Sequence, residues 1–312
     1  MPANVISYFS YKGGAGRSTL AYNTIPLMIN EHIHPTKEHP VVVVDMDIDS
    51  CGMSYLLGIP AKDIRGDACV QHILKEGCDT RVAGCIQDHA FLKHLIPVGN
   101  KFNYADNDAV LFLPAKDNKN INQDTVYGNY EGPGPFTECM RSFIDACENH
   151  GVSTVILDSA VGYQATANVS NTLADTIVCC MRPTKQFVDG TVRYLESLDS
   201  DEDSPIGGGE KRIIIVPNVI PQTQMSIDGL EYPSTAISYF RSLLSDVLDR
   251  DEDDDIQYAI DMMEGNGVDF GIPALPSFMW REGQLCSMTK LDEDEQHVLV
   301  RYRKLAGVIC DF

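Results

Sequence analysis

The stretch from Asn4 to Thr19 constrains this chain more than any other. An apolar run, Val5 to Phe9, reads as a buried strand. A glycine-rich segment, Lys12 to Gly16, comes next, and helical apolar spacing begins at Ser18. Strand, glycine loop and helix in that order make a cradle for an anion. Glycines let backbone N–H groups approach the anion closely, and the helix N-terminus adds its positive dipole end. Of the frequent phosphate-loop pattern G-x-x-x-x-G-K-[ST], the first glycine is replaced by Tyr11 and the lysine by Arg17, while a lysine stands at the loop's start, Lys12.

The rest of the chain supplies strands to go with the first. Val41–Val44 is β-branched throughout and reads as a strand buried on both faces. It delivers Asp45, Asp47 and Asp49, and acids at the C-terminal end of a parallel strand lie where open α/β sheets bind ligands. Asp45 and Asp47, two residues apart, share one face. Val152–Leu157 is a strand that ends in Asp158, an acid suited to hold a magnesium ion through a water. Ala109–Pro114, Thr176–Met181 and Arg212–Asn218 read as further core strands. Helices are expected over Ser18–Ile33 (kinked or shortened at Pro26), Phe136–Glu148, Val188–Leu198 and His297–Ile309, with fragments around Ala68–Lys75 and Gln87–Leu95. Strands alternating with helices predict an α/β fold: a mostly parallel, twisted sheet with helices on both faces. No Pro/Gly/Ser-rich linker divides it, so residues 1–312 read as a single domain.

The Lys12-Gly13-Gly14 opening resembles the deviant Walker A loop of the ParA/MinD family of P-loop ATPases, K-G-G-x-G-K-[ST]-[ST], at every position but Arg17. Asp45 to Gly58 has the D-x-D…L-x-G form of that family's switch I, and the stretch around Asp158 and Gly162 resembles its Walker B and switch II segment, without the proline often found near Ala160 or Val161. The resemblance implies ATP and Mg2+ as cofactors, and a nucleotide-sandwich homodimer that engages a protein partner. It places Gly13, Gly14, Ala15, Gly16, Arg17, Ser18 and Thr19 around the phosphates, with Lys12 reaching the partner subunit's phosphates. Ser18, Asp45 and Asp158 would serve the metal, and Asp47 would position the attacking water. Asn218 matches an asparagine that hydrogen-bonds adenine, although an Asn at a strand end is also a common turn former. Gly271–Pro276 resembles a late I-P loop, with Pro273 near the base. Arg17 sets a planar fork where the family has a point charge, so binding with little or no hydrolysis is an alternative to an ATPase switch. A metabolic ligase or electron-transfer relative on the same fold is the third. From Asp158 to Ile177 there is no cysteine of the kind an iron–sulfur relative needs, and Tyr302 alone does not make the C-terminal tyrosine cluster of kinase relatives.

Composition narrows the partners. The net charge of −21, from 45 acids against 24 bases, repels phosphate backbones and anionic membranes, so nucleic acid is not expected as the main partner. No apolar run approaches a membrane span. Ten cysteines without C-x-x-C spacing, and a start that runs straight into a strand, predict reduced thiols in a cytoplasm. Cys179 and Cys180 should point to opposite faces of their strand. His32, His34 and His39 lack matching ligand spacing and read as a polar connector. Residues 116–135 and 199–209 read as surface loops, Ile227–Leu248 as helical segments, and the acidic run 249–255 as a solvated turn. The last helix has little basic excess and is expected to dock onto the core rather than onto a membrane.

Overall fold

A computed structural model describes residues 2–59, 64, 69–79, 95–116, 134–199, 211–220, 226–227, 230–231, 271–279 and 281–311. The strands are β1 (Asn4–Ser10), β2 (Val41–Asp45), β3 (Ile96–Pro97), β4 (Val110–Leu113), β5 (Thr154–Val161), β6 (Thr176–Met181) and β7 (Arg212–Ile220), a two-stranded hairpin of β8 (Ser226–Ile227) and β9 (Leu230–Glu231), and β10 (Ile272–Pro273). All but the hairpin belong to one eight-stranded, mostly parallel sheet, ordered β10-β7-β6-β1-β5-β2-β4-β3. The chain divides into two compact units, residues 1–9 with 29–175 and residues 10–28 with 176–312.

In the first unit β2 runs parallel to β4 on one side and β5 on the other, and every residue of β2 is buried. A strand paired on both edges and covered on both faces has no place for a polar side chain, which is why four valines form its body. Burying each contributes about 1.5–3 kcal/mol. Three helices pack together here: α4 (Gly134–Asn149) lies against α3 (Val70–Asp79) and α5 (Ala165–Leu173), and α5 lies against β5. Two polar ties fix β1: Ser7 Oγ donates to the buried Asn171 Oδ1 at 2.6 Å, and the Val5 N–H to Asp175 Oδ2 at 2.8 Å. The antiparallel strand β3, paired with β4, was not anticipated; two residues offer no periodicity to read.

In the second unit α1 (Arg17–Met28) packs against the C-terminal helix α7 (Glu293–Cys310), which buries Val298, Tyr302, Leu305, Ala306 and Ile309. The last helix is thus docked, as its charge balance implied. A capping box starts it: Asp292 accepts from the Glu295 N–H at 2.8 Å, and Glu295 accepts from the Asp292 N–H at 3.2 Å. Arg281 and Ser277 also bond to the Glu295 carboxylate. Helix α6 (Lys185–Asp199) packs on β6, and β6 pairs in parallel with β7.

Two expectations need correction. The helix starting near Ser18 does not break at Pro26; its α-helical ladder reaches Met28 and then widens into a π turn, Ile29–Ile33, with the His34 N–H bonded to Ile29 O at 3.1 Å. Ile272-Pro273 is not a loop but the edge strand β10, parallel to β7 with Ile272 opposite Asn218. A proline has no N–H to donate and is tolerated at a sheet edge. The expected loops at 117–133 and 200–209, the helices at 87–94 and 232–248, and the acidic run 249–255 lie outside the described residues. No helix among the described residues is long and apolar enough to cross a membrane.

Candidate functional site

The glycine loop of the second unit is held from behind through its carbonyls. Arg182 Nε donates to Gly14 O at 2.8 Å, Asn218 Nδ2 to Ala15 O at 2.7 Å, and Cys180 Sγ to the same oxygen at 3.3 Å. In a trans peptide the N–H points opposite to the preceding carbonyl. The N–H groups of Ala15 and Gly16 therefore face away from these three side chains. A Cβ added to Gly13 or Gly14 would meet nothing within 4 Å. Gly14 and Gly16 both have φ of +82°, a conformation costly to any other residue, and a Cβ on Gly16 would stand 2.7 Å from Asn218 Nδ2.

The remaining loop residues divide by exposure. Lys12 is exposed and donates to Gln186 Oε1 at 3.1 Å. Tyr11, which replaces the usual first glycine, lays its ring over Gly190 of α6, where any Cβ would collide with it. Arg17 opens α1 only 6% exposed, and its Nη2 donates to Ser18 Oγ at 3.3 Å. Ser18 and Thr19 are half-buried in the first turn, and the Leu20 N–H closes on Gly16 O at 2.8 Å. Pro273 is half-buried on β10.

The acidic residues of the first unit gather where β2 and β5 end. Asp45 and Asp158 are register partners on these adjacent strands, and both are fully buried. The Met46 N–H continues the ladder to Asp158 O at 2.9 Å. Burial, then the Asp158 charge, hold the Asp45 carboxyl up to about 8; the two hydrogen bonds from Ser54 pull it down, and Asp47 raises it further. Ser54 belongs to the short helix α2 (Gly52–Leu56). Its N–H and O–H donate to Asp45 Oδ2 at 2.9 and 2.7 Å, and its Oγ accepts from the Ala115 N–H at 3.2 Å. The Asp47 N–H donates to Asp45 Oδ1 at 3.3 Å, and Asp47 Oδ1 accepts from the Ser50 N–H at 3.3 Å. Gln71, buried on α3, donates to Ile48 O at 3.3 Å and to Lys116 O at 2.9 Å, so the chain after Asp47 is held on two sides.

Two dehydrated carboxylates side by side have the chemistry of ligands for a hard divalent cation, whose charge would relieve their repulsion. Among the described residues no three His, Cys, Asp or Glu form a group able to hold a metal by themselves. A Mg2+ ion suits such an incomplete set, because it keeps waters and takes phosphate oxygens as its other ligands. Arg182, Cys180, Ser54, Gln71 and Gly190 escaped the sequence reading. Arg182, Cys180 and Gly190 act on residues far away in the chain, and no local spacing marks Ser54 or Gln71.

No family model and no curated protein sequence matches this chain. Solved structures do. The ATP complex of a Cyanothece McdA variant superimposes with a TM-score of 0.60 at 13% identity, over 99% of this chain and 96% of that one. Pyrococcus horikoshii MinD complexed with Mg-ADP gives 0.57 at 16% identity, over 99% and 100%. Cobyrinic acid a,c-diamide synthase from Mycobacterium smegmatis with bound ADP and magnesium gives 0.57 at 15% identity, over 98% and 94%. The fold is that of the ParA/MinD-type P-loop ATPases.

Proposed function

We propose that this chain is a cytoplasmic, single-domain ATP-binding switch of the ParA/MinD type, in which Mg-ATP closes a homodimer that engages a protein partner. The observation that supports it most is the pinning of the Gly14 and Ala15 carbonyls, which turns the following N–H groups together at the start of the 12-residue α1. Backbone donors fixed before the ligand arrives are what phosphate binding at a helix N-terminus requires.

In this reading residues 13–19 hold the phosphates, and Asn218 and Pro273 lie by the base. Ser18, Asp45 and Asp158 would serve the metal, which would supply charge neutralisation for phosphoryl transfer. Asp47, fixed at the end of β2, orients the attacking water. Lys12, exposed and tied only loosely through a side-chain amide, is suited to cross to a partner subunit. The buried Arg17 favours slow turnover, since its fork replaces a mobile ammonium. The acidic surface favours a protein partner over nucleic acid.

Titration calorimetry with ATP and MgCl2 tests the reading. Saturable binding is expected, and Arg182→Ala should weaken it about 10- to 150-fold, the cost of releasing one charge-assisted hydrogen bond. No heat and no saturation with the wild-type protein would refute nucleotide binding.

A further inference from the structure

We infer that Arg17 is a resident cation that occupies the hydroxyl on which a metal would land, so that ATP binding by this loop depends little on Mg2+. The inference rests on the nucleotide-binding reading above and concerns one property of it. Arg17 is 6% exposed, and its Nη2 lies 3.3 Å from Ser18 Oγ as donor. A charged side chain buried to that degree is held by its surroundings rather than by solvent. A serine hydroxyl offers two lone pairs, and the guanidinium takes one of them.

The guanidinium keeps its charge at any working pH. A divalent cation using the other lone pair of Ser18 would therefore meet a fixed positive charge close by, with little water between to screen it. The same guanidinium is a planar donor fork matched to phosphate oxygens, so it supplies neutralisation that a metal would otherwise provide. A lysine at this position would be a single point charge on a flexible stem, able to swing onto phosphate and leave Ser18 to the metal.

The experiment is calorimetry of ATP binding in MgCl2 and in EDTA for four proteins: wild type, Arg17→Lys, Ser18→Ala and the double variant. Wild type should change affinity by less than about threefold between the two buffers, whereas Arg17→Lys should gain about tenfold or more from Mg2+. Ser18→Ala should abolish that gain in the Arg17→Lys protein and leave the wild-type ratio almost unchanged. A wild-type Mg2+ dependence as large as that of Arg17→Lys would overturn the inference while ATP binding itself stood. So would a wild-type dependence that Ser18→Ala removes. The wild-type comparison needs no folded variant. Absence of ATP binding in both buffers for both Arg17 forms would instead refute the nucleotide reading itself, and this inference with it.

Discussion

At the scale of single residues, Asp45 shows what burial does to an acid. Its side chain is fully buried beside Asp158, and its carboxyl is held up to about 8 against an ordinary value of 3.8. A raised acid stabilises the fold while it is protonated. Its contribution is complete below about pH 4 and is lost as the pH climbs through 8. Urea unfolding in EDTA should therefore show the metal-free protein losing stability as the pH rises over that range relative to Asp45→Asn, which cannot ionise. Parallel pH profiles for the two proteins would show that Asp45 does not titrate there. Gly16 makes the opposite point about space. With φ of +82° and Asn218 Nδ2 at 2.7 Å from a would-be Cβ, Gly16→Ala should cost roughly 1–3 kcal/mol by thermal unfolding. Adding Asn218→Ala should recover part of that, because the clash goes while the backbone strain stays.

At the scale of elements, the loop is a product of its neighbours. Tyr11 stands where the common pattern has glycine, and α6 answers with Gly190 beneath the ring. Gly190→Ala should push the Tyr11 ring off α6 and weaken ATP binding about tenfold or more, although a Gly-to-Ala change in a helix ordinarily stabilises it. Tyr11→Gly in the same protein should restore binding by removing the collision. Calorimetry of the three variants decides it; a Gly190→Ala protein that binds like wild type would mean that the ring can move without cost. The strands, the glycine loop and the acids at strand ends were legible because each is written locally: a run of valines, a Gly-Gly turn, an aspartate closing a β-branched stretch. The grip on that loop was not, since Asn218 and Ala15 are 203 residues apart and Arg182 and Gly14 are 168 apart. Ser54 and Gln71 are nearer to what they hold, but no periodicity ties a serine to an aspartate nine residues before it.

At the scale of the whole molecule, a net charge of −21 opposes bringing two copies together, so the proposed ATP-driven dimer would need cations at its interface. Lys12→Ala should abolish the ATP-dependent dimer in light scattering while monomeric binding persists; a dimer as abundant as wild type would reduce Lys12 to a loop residue. By itself, the sequence determined the order of the longer core strands and of most long helices, the glycine turn and the identity of the acids, because backbone conformation and side-chain alternation follow from residues a few positions apart. Tertiary structure alone decided which carbonyls of the loop are pinned, that Arg17 is buried against Ser18, that Ile272-Pro273 is a strand, and that burial beside Asp158 pushes the Asp45 carboxyl up. Those properties depend on dehydration and on partners brought from distant parts of the chain, and neither is encoded in any local pattern.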